Sequence, residues 1–282
     1  MNKQVYKLNN GVEVPKIGFG TWKLLGDTAY KAVRMAIEVG YTHIDTAASY
    51  DNEAEVGRAI HESGIPREKI FITTKLWNDI KTYEETIQAF ERSAQKLGVE
   101  VIDLYLIHWP NPIDCRENDA WKIRDIECWR AMEELYKQGR VRAIGVSNFL
   151  PHHLDVILER GTVRPAVNQI RLFPGFINEE CVSYCEQRDI LLEGFSPLGE
   201  GNLLVNSAFR EMAERYDRSP AQLALRWSVQ RGFLPIPKST KESHAASNLE
   251  IFNFEILAED MKSLNVFKHG CRSNSHPDQA GF

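Results

Sequence analysis

From Ile17 to Ile236, short apolar runs alternate with amphipathic stretches, and no other feature of the sequence restricts its fold as much. The runs lie near Ile17 to Gly20, Thr42 to Asp45, Ile70 to Thr74, Ile102 to Ile107, Ala143 to Val146, Ala166 to Gln169, Leu191 to Phe195 and Leu234 to Ile236. Between them apolar residues recur at helical spacing, as in Ala29, Val33, Ala36 and Ile37, and in Ile87, Phe90, Ala94 and Leu97. Gly40, Gly98, Gly139, Gly161 and Gly232 stand where a left-handed C-cap is wanted, and Ser219-Pro220 marks a helix start. Strand-helix units repeated without a change of composition predict one (β/α)8 TIM barrel over residues 1–282 rather than a doubly wound sheet. Val5 to Leu8 and Val12 to Val14 flank Asn9-Asn10-Gly11, a hairpin expected to plug or decorate one end. Two extra helices are expected near Ser207 to Tyr216 and Ala258 to Lys268.

A formal charge of −5 with scattered lysines and arginines gives no basic stripe, which argues against nucleic acid or an anionic membrane as partner. No apolar run approaches the roughly 20 residues that span a bilayer, and the opening MNKQVYKLNN lacks an apolar core, so a cytoplasmic protein is expected. Five cysteines without paired spacing argue for reduced thiols. Cys181 and Cys185 share a helix face, but no further ligands accompany them, so no metal is expected.

The strand ends carry the chemistry. They present Thr21-Trp22, Asp45 with Tyr50, Lys75, His108-Trp109, Ser147-Asn148, Gln169, Phe195-Ser196 and Lys238-Ser239, all of which a barrel brings to one mouth. Singly each has an ordinary structural explanation, whereas together they indicate a site. A phenol titrates near pH ~10, so Tyr50 becomes a better proton donor if an ammonium such as Lys75 stabilises its phenolate, with Asp45 holding Lys75 charged. His108 would orient the atom receiving the proton. With no cysteine or serine nucleophile, this group suits protonation of an oxygen better than acyl transfer. Carbonyl reduction also needs a hydride. Ser147, Asn148 and Gln169 suit a carboxamide, Phe195 offers a flat face, and Lys238-Ser239 lie where barrels often bind phosphate. No GxGxxG opens a strand-turn-helix, so a Rossmann cofactor domain is not expected.

These residues resemble the aldo-keto reductases. The matching stretches are GFGTW at 18 to 22, DTAASYDNEAEVG at 45 to 57, ITTKLW at 72 to 77, LIHWP at 106 to 110, GVSNF at 145 to 149, VNQ at 167 to 169, FSPLG at 195 to 199 and IPKS at 236 to 239. They are most similar to the prokaryotic-type branch that includes diketogluconate reductases and prostaglandin F synthase-like enzymes. The resemblance implies NADPH-dependent reduction of aldehydes or ketones to alcohols, with Tyr50 as proton donor, Lys75 and Asp45 as its tuning pair, and His108 orienting the carbonyl. It implies cofactor contacts from Gly20, Thr21, Trp22, Asp45, Ser147, Asn148, Gln169 and Phe195. Further along, Ser196, Leu198, Gly201, Lys238, Ser239, Thr240, His244 and Asn248 would follow the phosphates and adenosine. Trp22, Trp77 and Trp109 would wall the substrate pocket beside Tyr50 and His108.

Three positions depart from the family pattern. His244, Ser247 and Asn248 stand where relatives preferring NADPH place an arginine and then Glu-Asn, and an imidazole cannot give arginine's permanent bidentate contact to a 2′-phosphate, so NADH is expected to be accepted more readily. Arg171-Leu172-Phe173 replaces an acid, an aromatic and a histidine, and Thr42 replaces a basic residue. The tail, 269–282, has no regular period, and the resemblance implies that it folds over the barrel mouth. A monomer acting on a small carbonyl compound is expected. The weighed alternatives are a cofactor-binding regulatory protein on the same barrel and a hydrolase using paired carboxylates, the latter disfavoured because the strand ends show one acid.

Overall fold

The computed structural model describes residues 4–268 and 276–282. Strands β1 (Val5–Lys7) and β2 (Glu13–Pro15) form the expected antiparallel hairpin. Its turn closes through Leu8 N–H donating to Val12 O at 2.8 Å, with Gly11 at φ 87°, where a side chain would be strained. Asn9 then donates to Pro165 O and Asp189 O, and Asn10 to Arg142 O, so the hairpin is fastened to loops that enter the barrel strands from below. Leu8 and Val14 are buried with Phe71, Leu104, Leu106, Val167, Leu234 and Ile236 in the barrel interior. The hairpin is therefore the plug of the N-terminal end.

The barrel strands are β3 (Phe19–Gly20), β4 (His43–Asp45), β5 (Phe71–Leu76), β6 (Ile102–Ile107), β7 (Val141–Ser147), β8 (Val167–Arg171), β9 (Leu191–Phe195) and β10 (Leu234–Ile236). Each pairs in parallel with its neighbour in sequence order, and Gly18 N–H to Pro235 O and Gly20 N–H to Pro237 O join the first to the last. The ring closes without a free edge.

Around it lie α1 (Gly26–Glu38), α2 (Glu53–Glu62), α3 (Tyr83–Leu97), α4 (Ala120–Lys137), α5 (Pro151–Arg160) and α6 (Glu179–Glu186). After β9 come the short α7 (Asn202–Val205), α8 (Ser207–Glu214) and α9 (Pro220–Gln230), and after β10 α10 (Glu242–Leu249) and α11 (Ala258–Asn265). The extra helices expected from the sequence are α8 and α11, and α7 is an addition to them. Local signals explain the starts: Ser219 caps α9 reciprocally with Gln222, and Thr82 caps α3 with Glu85.

One glycine differs from expectation. Gly161 closes α5 in an extended conformation, φ −82° and ψ 161°, not a left-handed one. Its requirement is space, because an added Cβ would lie 2.7 Å from both Ile157 O and the Trp129 ring. No helix among the described residues is long and apolar enough to cross a membrane.

Candidate active site

Strand β4 ends at Asp45, and the loop beyond it is tied down before it reaches Tyr50. Thr46 Oγ1 donates to Asn52 Oδ1 at 2.6 Å, while Asn52 Nδ2 donates to Thr21 O and Leu24 O. Asn52, which precedes α2, thus spends its side chain on the loop instead of capping its own helix. Thr21 Oγ1 donates to Asp45 O at 2.9 Å, which joins the ends of β3 and β4.

On the next strand, the fully buried Lys75 ammonium donates to Asp45 Oδ1 at 2.8 Å, to Asp45 Oδ2 at 2.9 Å and to Thr46 O at 2.8 Å. It also reaches the Tyr50 hydroxyl at 3.4 Å. Burial pulls the ammonium's pKa down, but Asp45, Tyr50 and Glu193 outweigh it and leave Lys75 above its ordinary value. The amine is therefore a fixed positive charge. Burial pushes the Tyr50 hydroxyl up, and Lys75 draws it back without cancelling the rise. The expected acidifying neighbour is in place, yet the net shift is upward.

His108 follows β6. Burial and the Lys75 charge hold its imidazole well below the ordinary histidine range, so it is neutral and can only share hydrogen bonds. Its ring lies edge-on to Tyr50 at 5.7 Å and to Trp77 at 5.1 Å, and its Nδ1 is 3.4 Å from Ser49 Oγ.

A cavity of about 840 Å³ opens above these groups. Of the positions expected to meet cofactor or substrate, Gly20, Trp22, Asp45, Tyr50, His108 and Trp109 line it on one side. Ser147, Asn148, Gln169, Phe195, Ser196, Leu198, Gly201 and Lys238 line it on the other. Thr21 and Lys75 are buried just behind the wall. Trp77 also stands behind it, against His108. Ser239, Thr240, His244 and Asn248 do not line the cavity: Thr240 and His244 are exposed and Asn248 is buried in α10.

The polar wall is set by where its protons go. Asn148 Nδ2 donates to His108 O and Ser147 Oγ, and Ser147 Oγ donates to Gln169 O. Gln169 Nε2 donates to Asp45 Oδ2 at 2.8 Å and to Glu193 Oε2 at 2.9 Å. The Asp45 carboxylate fixes the amide's orientation, since an amide oxygen in that place would be repelled, and the second amide proton goes to Glu193. With both its amide protons spent, Gln169 is left with its side-chain oxygen for the cavity it lines. Backbone strain concentrates here as well, for Lys23, Asn148, Ser196 and Glu200 line the cavity with φ between 48° and 64°.

Several site residues escaped the sequence reading: Lys23, Ser49, Glu193, Glu200, Leu204 and Phe282. Glu193 adds a second carboxyl inside the barrel, fully buried, two residues before the end of β9, and is not one of the strand-end groups. It does not line the cavity. Glu200 accepts from Arg171 Nη2 at 3.2 Å, and the guanidinium lies over Phe173 and Phe176 at 5.3 and 5.0 Å, which gives the departure at Arg171 a structural role. Phe282 is placed by the tail. Ile113 N–H donates to Phe282 O, and its ring packs 4.9 Å from Trp109 and 5.5 Å from Trp77. Phe282 thus lines the cavity at the end of 276–282, and 269–275 fall outside the described residues.

The tail is held by Asp278, whose Oδ1 accepts from Asn111 Nδ2 at 3.0 Å and from buried His153 Nε2 at 2.8 Å. His153 Nδ1 accepts the Leu150 N–H, which leaves the neutral ring's proton on Nε2. His152, His153 and Asp278 therefore form a clasp rather than a ready metal site, although their ligand atoms cluster.

A nicotinamide dinucleotide fits this donor set. Gln169 and the Phe195 ring line the cavity, as do Lys23 and Lys238. Burial and Lys23 lower the pKa of Lys238, a repulsion that an anion between them would relieve. Comparison with known proteins decides the identity: the model of the Aldo/keto reductase family matches residues 16–268. The chain belongs to the aldo/keto reductase family. It is an NADP-dependent oxidoreductase that reduces carbonyl groups, with NADPH as cofactor. It is 44% identical to a glyoxal reductase of Bacillus subtilis, over 99% of this chain and 98% of the relative. It is 42% identical to a 9,11-endoperoxide prostaglandin H2 reductase of Trypanosoma cruzi, over 98% and 96%. Among solved structures, the aldo-keto reductase MGS-M4 from a Medee basin deep-sea metagenome library superposes with a TM-score of 0.91 at 41% identity, covering 98% of this chain and all of that one. A Gox0644 mutant in complex with NADPH gives 0.91 at 37%, with full coverage of both.

Burial and the neighbouring Asp45 charge push Glu193 up to about 8 from an ordinary 4.5. Below the ordinary value both folded and unfolded chains hold the proton, and between the two values only the folded chain does. Stability must then fall as pH rises through that window, by up to roughly 1.4 kcal/mol per pH unit from this group. Denaturant unfolding of the Glu193→Gln reductase between pH 5 and about 8 should show a flatter dependence than the unchanged protein.

Proposed function

We propose that this aldo/keto reductase acts on small aldehydes and vicinal dicarbonyls, with Tyr50 as the proton donor, His108 orienting the carbonyl oxygen, and Lys75 with Asp45 as the tuning pair. The observation that carries the assignment is the meeting of a cavity-facing phenol, a fixed ammonium 3.4 Å from its oxygen and a neutral imidazole edge-on to its ring. A carbonyl oxygen that accepts from both Tyr50 and His108 is polarised before reaction and receives the phenolic proton during it. Lys75 keeps its own proton and stabilises the phenolate left behind. Asp45 holds that ammonium in position and transfers nothing.

NADPH supplies the hydride when bound. Gln169, Asn148 and Ser147 orient its carboxamide through their acceptor oxygens, Phe195 supports the ring, and Lys23 and Lys238 attract the phosphates. Thr21 is buried behind the wall, and Ser239, Thr240, His244 and Asn248, beyond the cavity, are the proposed contacts of the adenosine end. The exposed His244 supports weakened discrimination against NADH.

The glyoxal reductase name of a close relative supports the substrate class, as does the aromatic rim of Trp22, Trp109 and Phe282. Action as a monomer belongs to this reading, and free Cys115, Cys128, Cys181 and Cys185 support a reducing, cytoplasmic setting.

Replacing Tyr50 with Phe should lower kcat for glyoxal and methylglyoxal by on the order of 10²–10⁴ while NADPH still binds with unchanged affinity; full turnover without that hydroxyl would remove the assignment. Exchanging NADPH for NADH should cost less than about a hundredfold in kcat/KM, since no permanent arginine fork meets the 2′-phosphate. Phe282→Ala should move the aldehyde preference towards bulkier substrates at constant NADPH affinity, and an unaltered profile would exclude the tail from substrate choice.

A further inference from the structure

Glu193 is the one carboxyl at the centre of the site that the reaction, as described, leaves unused. Its Oε2 accepts from Gln169 Nε2 at 2.9 Å, and that amine's other proton goes to Asp45 Oδ2 at 2.8 Å. Its second oxygen, Oε1, is buried without a hydrogen-bond partner among the described residues. The charged groups acting on it are Asp45 and Lys75, and Lys75 is already bonded to both oxygens of Asp45.

An acid placed so deeply, next to another acid and without a cation bonded to it, makes poor sense as a charge. It makes good sense as an acceptor. Gln169 lines the cavity, and Asp45 by itself engages only one of its two amide protons. With Asp45 alone, one amide proton would be satisfied and the other would face the cavity or the apolar barrel interior. With Glu193 as well, both protons are drawn away from the cavity, and Oε1 of Gln169 is the hydrogen-bonding atom that remains.

We propose that Glu193 is a positioning residue that locks the Gln169 amide with its oxygen towards the cavity, so that the site selects a ligand presenting a carboxamide NH2 there. The inference rests on the reading that Gln169 meets the nicotinamide carboxamide. It adds that the selectivity is enforced from inside the barrel by a group that never touches the cofactor. Glu193 also couples the cofactor end of the site to the tuning pair, because a single amine bridges it to Asp45.

The test compares two ligands on the full-length protein by fluorescence titration: NADPH, and 2′-phosphoadenosine 5′-diphosphoribose, which lacks the nicotinamide. Glu193→Leu should weaken NADPH roughly tenfold, the size of one lost buried hydrogen bond, and leave the truncated ligand within about twofold. Glu193→Gln, whose amide oxygen can accept from Gln169, should keep both affinities. Equal weakening of both ligands by Glu193→Leu would show a general packing defect and overturn the proposal, as would a loss in Glu193→Gln matching that in Glu193→Leu. Gln169→Leu separates the two readings. If it leaves NADPH affinity unchanged, the carboxamide contact itself is wrong; if it weakens NADPH while Glu193→Leu does not, only the role of Glu193 fails.

Discussion

The buried ion pair between Lys75 and Asp45 is the interaction on which the site depends. Lys75 is fully buried and Asp45 only grazes the cavity, so the pair relies on filled hydrogen-bonding positions: Lys75 also binds Thr46 O, and Asp45 also accepts from Gln169. Breaking such a pair by removing one partner costs about 3–5 kcal/mol, because the remaining charge is stranded. The barrel accepts that liability at the mouth, where the closed ring of strands and the hairpin plug provide a rigid support. From this support the pair projects a fixed positive charge towards one phenolic oxygen.

The same pair explains the ionisation pattern around it. Burial, with the ammonium second, keeps His108 neutral; the ammonium also restrains the burial-driven rise of Tyr50, and Asp45 adds to burial in pushing Glu193 towards its protonated form. Two acids separated by one amide thus take different states, one charged against Lys75 and one neutral within the barrel. Tyr50 stays protonated at neutral pH, as a donor to a developing alkoxide must. The upward net shift does not impair donation, since the accepting oxygen becomes far more basic than a phenolate as the reaction proceeds.

Much of this was legible in the sequence because a strand's last residue reports its own position. Asp45, Lys75, His108, Ser147 and Gln169 could be placed at one mouth once the alternation of strand and helix was seen. Glu193 could not, because it interrupts the apolar run Leu191-Leu192-Glu193-Gly194-Phe195 from within and its partner Gln169 lies on the neighbouring strand. Phe282 was hidden for a related reason: its neighbours Trp77 and Trp109 are far away in sequence, and the anchor of its segment is a single Asp278 bonded to His153. Gly161 was read as a conformational cap when its constraint comes from the ring of Trp129 on another helix. Local pattern shows what a residue can do alone, and distant packing determines the rest.

The central claim is that the Lys75 ammonium lowers the pKa of the Tyr50 hydroxyl against the rise that burial imposes. Ultraviolet difference titration of that hydroxyl, isolated by subtracting the Tyr50→Phe protein, measures it directly in the unchanged reductase and in Lys75→Met. The account predicts that ionisation moves to higher pH when the ammonium is removed. An unchanged titration would contradict it, and the phenol would then owe its reactivity to something other than the buried pair.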